Sequence, residues 1–170
     1  MSDDGIRLDV DIGYLAEQIE ALLAIPSPTG YTDTIVRHVC GELGRLGVSY
    51  ELTRRGAIRA LLPGGDSAGA RAVVSHLDTL GAQVASLKEN GRLGLVPIGT
   101  WSARFAEGAR CTLFSEQGTF RGSILPLKAS GHTYGEEIDT QPVGWDHVEF
   151  RVDAHVPDAE ALGRLGIEIG

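Results

Sequence analysis

The chain changes character at Gly81. Before it, apolar side chains recur largely at helical spacing; after it, short extended runs alternate with turn signals. A chain with this division cannot be one uniform bundle or one uniform sandwich. Just ahead of the division, the apolar run Ala72 to Val74 reads as a buried strand that delivers His76 and Asp78 at its carboxyl end. In an open α/β sheet that end is where ligands bind. Residues two apart on an extended chain point the same way, so the imidazole and the carboxylate can serve one site. A neutral imidazole nitrogen with a carboxylate behind it suits a metal ion. The same pair also suits a strand-end histidine bonded to an aspartate for structural reasons, and the two residues alone leave both readings open.

Taken in order, residues 1–9 are polar and expected to be loose. Asp11 is placed to cap a helix carrying Ile12, Leu15, Ile19, Leu22 and Leu23, which Pro26-Ser27-Pro28-Thr29-Gly30 must end. A second helix from about Thr32 bears Ile35, Val36, Val39, Cys40, Leu43 and Leu46 and stops at Gly47, with His38 beside the stripe expected at the surface. Val48 to Thr53 and Ala57 to Leu62 read as a hairpin turning at Arg54-Arg55-Gly56. The glycines of residues 63–69 match no phosphate-loop pattern and no Lys-Ser/Thr follows, so a surface loop is expected there.

Beyond Gly81, Ala82 to Lys88 and Leu93 to Ile98 flank Asn90-Gly91, a strong hairpin signal. Cys111 to Phe114 and Phe120 to Leu127 flank Glu116-Gln117-Gly118. Residues 128–145 show little periodicity and are expected as a long loop, followed by a strand from Val148 to Val152. Pro157-Asp158 opens a short helix to about Leu165, and Gly166-Ile167-Glu168-Ile169-Gly170 follows. The expected organisation is an α/β region over 1–82, an inserted hairpin-rich β module, read as a small barrel, over 83–156, and a return segment over 157–170.

The balance of 15 basic against 23 acidic residues gives a net charge of −8, which argues against nucleic acid and anionic membrane partners. No apolar run has the length of a spanning helix. Cys40 and Cys111 have no Cys or His at metal-motif spacing, so reduced thiols in a cytoplasmic protein are expected.

Four features together resemble the glutamyl aminopeptidase and cellulase-M family of metallo-aminopeptidases. Pro26-Ser27-Pro28-Thr29-Gly30 is similar to that family's Pro-Ser-x-Ser/Thr-Gly segment. Ser75-His76-Leu77-Asp78-Thr79-Leu80-Gly81 is similar to its Ala-His-x-Asp-x-Ile-Gly strand end. The β module sits where the family carries its lid, and Pro157 to Gly170 resembles the helix and Gly-Ile-x-Val-Gly return into the catalytic domain. The resemblance implies the N-terminal part of an α/β zinc-exopeptidase (phosphorylase/hydrolase-like) domain with an inserted β-barrel lid. It implies His76 as a metal ligand and Asp78 as the catalytic-site carboxylate supporting it.

It further implies two divalent ions, zinc or cobalt, of which this chain offers one assignable ligand. The bridging Asp, the Glu-Glu pair with its general base, a further carboxylate and the last His are expected in sequence after the lid, so the 170 residues alone are expected to be inactive. The activity implied is removal of N-terminal residues from short peptides by a homo-oligomer without nucleic acid or membrane partners. Leu77-Asp78-Thr79 and the lid also resemble a bacterial subgroup encoded with enzymes making a glutamine-derived dipeptide osmolyte, which implies a dedicated small substrate.

His76-Leu77-Asp78-Thr79 is similar as well to the His-x-Asp-Thr of di-zinc deacylases and carboxypeptidases. Their next metal Asp, in a Gly-rich Asp-x-Lys-Gly context, has no counterpart here, where the β module intervenes. A non-catalytic assembly or binding module is the alternative from another class. Glu136-Glu137 reads as a solvated acidic loop rather than a catalytic pair. His147 and His155 match no ligand position, and His132 is a candidate substrate-side contact. Trp101 and Trp145 read as packing or interface aromatics.

Overall fold

A computed structural model describes residues 9–65 and 69–170, which divide into two compact units at Asp78/Thr79. Residues 1–8 and the 66–68 part of the glycine-rich loop lie outside the described residues.

The first unit begins with helix α1 (Ile12–Ala24). The Asp11 side chain accepts from the Tyr14 amide at 3.0 Å, satisfying one of the free donors of the first turn. Helix α2 (Asp33–Arg45) follows and ends at Gly47, whose φ of +70° suits a residue without Cβ. The Tyr14 hydroxyl donates to Glu42 at 3.3 Å, and the Arg45 guanidinium lies 5.6 Å from the Tyr14 ring centre. Ile35 and Cys40 of α2 are buried. Strands β1 (Tyr50–Leu52) and β2 (Ile58–Ala60) pair antiparallel, Tyr50 opposite Ala60 and Leu52 opposite Ile58.

The strand expected at Ala72 to Ser75 does not form a ladder. Residues 69–78 run without regular structure, and Val73 and Val74 are 98% and 90% exposed. A strand buried on both faces needs neighbours on both sides. Among the described residues none pairs with this run. Leu61, Leu62 and the α1 residues Ile12, Leu15, Ile19 and Leu23 are likewise exposed.

The second unit is a curled, half-barrel antiparallel sheet of five strands in the order β3-β4-β7-β6-β5. The strands are β3 (Gly81–Leu87), β4 (Leu93–Ile98), β5 (Arg110–Ser115), β6 (Gly118–Pro126) and β7 (Val148–Val152). The expected hairpins form at Asn90-Gly91 and at residues 116–117. No β3–β5 pairing closes the sheet among the described residues. The outer edge of β3 is instead met by the Gly170 amide, 3.1 Å from the Val84 carbonyl oxygen.

One face of the sheet buries Val84, Leu93, Ile124, Val148, Phe150 and Val152 against Ala106 of α3 (Ala103–Ala106) and Leu162 of α6 (Ala159–Arg164), with Ile167 beyond. Leu93 and Leu162 are fully buried, and sealing such side chains supplies about 1.5–3 kcal/mol each. Asp158 caps α6 by accepting from the Ala161 amide at 2.8 Å. The long loop expected over 128–145 contains two single-turn helices, α4 (Gly131–Tyr134) and α5 (Glu137–Thr140), and a 3-10 turn at Trp145–His147. Four residues are too few to display a helical period, which is why the sequence pattern does not reveal them. Trp101 and Trp145 pack edge to face with centroids 5.4 Å apart, and the Trp145 indole donates to the Trp101 carbonyl at 3.0 Å. Both lie against the core, as packing aromatics.

Candidate functional site

The segment between α1 and α2 is held against the His76–Asp78 segment by two hydroxyls. Ser27 is fully buried and donates to the Leu77 carbonyl at 3.0 Å. Thr29 donates to Asp78 Oδ2 at 2.7 Å. The prolines on either side of Ser27 restrict this backbone, and Gly30 takes φ +95°, so the turn presents both hydroxyls with little freedom.

His76 Nδ1 lies 2.9 Å from the Asp78 carbonyl oxygen and 3.4 Å from Asp78 Oδ1. The Nδ1-protonated tautomer satisfies this contact and leaves the Nε2 lone pair for a ligand. The Thr29 hydrogen bond outweighs partial desolvation and holds the Asp78 carboxyl below its ordinary pKa; its own backbone amide and His76 act in the same direction. The imidazole is thus held through the Asp78 main-chain carbonyl, with the carboxylate close by, and a carbonyl or carboxylate at the second ring nitrogen is what fixes a metal-binding histidine's ring. The His76 side chain is 80% exposed and the Asp78 side chain 40%.

The period-two spacing thus brings His76 and Asp78 together, but on an extended segment rather than at the end of a paired strand. Thr29 positions Asp78 and Ser27 anchors the Leu77 backbone beside it, roles that the Pro26–Gly30 motif does not reveal in the sequence. Nothing in their residue types signals a contact 49 and 50 positions away. Among the described residues, no three His, Cys, Asp or Glu side chains gather as a metal-ion site. The donor set therefore fits one imidazole ligand with its orienting carboxylate. A cavity of about 230 Å3 beside Thr29 is lined by Gly30, Tyr31, Asp33, Thr34 and Arg37.

His132 lies on α4, His147 lines a cavity of about 500 Å3 in the second unit with Glu107, Lys128 and Asp139, and His155 is exposed. Glu136 and Glu137 are exposed, Glu137 being paired with Lys128, in agreement with a solvated acidic segment.

Residues 56–170 match the M42 glutamyl aminopeptidase family, and the chain belongs to that family. It is 32% identical over 155 residues to the putative aminopeptidase YhfE of Bacillus subtilis, covering 91% of this chain and 44% of that protein. It is 28% identical over 118 residues to the glutamyl aminopeptidase of Lactococcus lactis, covering 69% of this chain and 32% of that one. The chain therefore spans less than half the length of these relatives. The fold is shared with the aminopeptidase APDkam598 of the archaeon Desulfurococcus kamchatkensis (TM-score 0.76, 22% identity, 93% of this chain and 42% of that one). It is shared too with a TET aminopeptidase from a marine sediment thaumarchaeon (TM-score 0.75, 18% identity, 93% and 43%). The matched stretch contains His76 and Asp78 but not Ser27 or Thr29. Among the described residues, no helix is long and apolar enough to cross a membrane.

Proposed function

We propose that these residues belong to a metal-dependent aminopeptidase that hydrolyses the N-terminal aminoacyl bond of short peptides. The observation that carries this reading is the family match over residues 56–170, which includes the Thr29–Asp78–His76 contact chain's two metal-site members. His76 serves as one ligand through Nε2. Asp78 acts as a catalytic-site residue by holding the imidazole in its Nδ1-protonated form. A divalent ion, zinc or cobalt, would be held in part by His76 and would supply Lewis-acid polarisation of the scissile carbonyl and a more acidic water. Thr29 aims the Asp78 carboxylate, and the Asp78 main-chain carbonyl holds the imidazole, so the ring enters the site already oriented. His76 is the one ligand assigned to this chain, and the remaining ligands and the general base are not assigned to its residues.

Residues 83–156 are read as the lid over such a site, with His132 as a substrate-side contact, and the protein as a cytoplasmic homo-oligomer. Similar structures support a homo-oligomer: one is a dodecamer in its asymmetric unit, and the TET1 peptidase of Pyrococcus horikoshii assembles into a tetrahedron or a large octahedral shell.

The test is an aminoacyl-anilide panel with added cobalt or zinc, run on the gene product containing this chain. Turnover should require the metal, fall by at least about 100-fold in His76→Ala, and fall by about 10–100-fold in Asp78→Asn. Metal-independent turnover, or full activity in His76→Ala, rejects the reading.

A further inference from the structure

The net charge of −8 conceals a divided surface. The register of the second unit places Arg110, Arg121 and Arg151 on the side of the sheet opposite the core, since Arg110 and Arg151 both pair with Ser123, and Thr112 pairs with Arg121. Lys88, Arg92, Glu149 and Asp153 share that side, as their ion pairs show. Among the described residues, five basic and two acidic side chains lie on this face, in a chain whose whole sequence has 15 basic and 23 acidic residues. A net-positive face about 19 Å across its five strands thus sits on a strongly acidic protein.

Both carboxylates on the face are already occupied. Glu149, 4% exposed, is held by Lys88 Nζ at 2.9 Å and by Arg92. Asp153 takes both terminal nitrogens of Arg110, one at 2.9 Å, while Arg110 also donates to Ser123 at 2.8 Å. Arg121 donates to the Thr112 hydroxyl at 2.8 Å, and among the described residues neither Arg121 nor Arg151 forms a direct ion pair, although both lie close enough to Asp153 to favour its charged form. The Asp153 amide bonds the Arg121 carbonyl at 2.8 Å, so the two exposed arginines stand diagonally on neighbouring strands. The same unit carries the opposite feature at α5. Glu136, Glu137 and Asp139 are exposed within four residues, and only Glu137 has a cationic partner among the described residues.

We propose that the β5–β6–β7 basic face of one copy, centred on Arg121 and Arg151, receives the Glu136–Asp139 tract of a second copy. This rests on the homo-oligomer reading above and names the surfaces that make the contact. The two surfaces are different, so the contact is head-to-tail rather than self-complementary. Planar guanidinium forks match carboxylates bidentately, and the exposed carboxylates of the Glu136–Asp139 tract supply them. The contact is exposed and ionic, so salt weakens it.

The experiment is sedimentation velocity of the full chain in 50 and 500 mM salt, with two charge reversals, Arg121→Glu/Arg151→Glu and Glu136→Lys/Asp139→Lys. Either variant alone should associate at least about tenfold more weakly than wild type, and so should wild type in high salt. Mixing the two variants re-creates opposite charges at both surfaces and should restore association. Association unchanged in both variants, or unrestored in the mixture while each variant melts like wild type, overturns the surface assignment but leaves the homo-oligomer. Wild type monomeric in both salts overturns both. Binding of labelled single-stranded DNA or phosphatidylserine vesicles that is stronger than self-association and lost in Arg121→Glu/Arg151→Glu assigns the face to another partner and overturns the proposal.

Discussion

The Thr29 hydroxyl donates to Asp78 Oδ2 at 2.7 Å, joining residues 49 positions apart and lowering the pKa of the carboxyl beside His76. Removing the hydroxyl in Thr29→Val should raise the Asp78 pKa toward its ordinary value. Because the folded pKa is depressed, the stabilisation it provides is present above the unfolded value and is lost as pH falls through the folded one. The variant should therefore lose less stability than wild type on acidification in that range. Carboxyl-carbon NMR titration reads the pKa directly, and an unchanged Asp78 titration contradicts the assignment.

The 170 residues alone should bind zinc or cobalt weakly and hydrolyse no aminoacyl-anilide. Catalytic zinc takes about three protein ligands, and His76 is the one assigned here. Titration calorimetry with each metal checks the first point. Clear turnover by this chain, abolished in His76→Ala, would show that the missing ligands come from within it or from another copy.

Glu149→Gln should destabilise the second unit by about 1–3 kcal/mol, measured by urea unfolding. Glu149 is buried, and its removal strips Lys88 and Arg92 of their shared partner. The cost stays moderate because both cations are about one-third exposed and can regain water. Lys88→Met should cost less, since Arg92 keeps the carboxylate paired.

Gly91→Ala should cost about 2–4 kcal/mol, well above the cost of left-handed backbone alone. Gly91 has φ +73°, and a Cβ there would fall 1.9 Å from the Val156 carbonyl oxygen. Thermal unfolding checks this, with Asn90→Ala as the reference for disturbing the turn without the clash.

Local chemistry made much of this architecture readable from the sequence. Asp11 capping, the Pro26–Gly30 break, Gly47, the Asn90-Gly91 turn and the Val148–Val152 strand all depend on interactions within a few residues. The spacing of His76 and Asp78 likewise sufficed to bring them together. Tertiary structure alone decided what lies across chain separations. Gly91 was legible as a turn glycine, but not as the site where the Val156 backbone passes. Thr29 and Ser27 became partners of residues 77 and 78 only when the two segments met. The apolar Val73 and Val74 announced a strand, yet a ladder needs neighbouring strands, and these residues stand exposed without one. The basic face was invisible for the same reason: Lys88, Arg92, Arg110, Arg121 and Arg151 are scattered along an acidic chain, and antiparallel register gathers them.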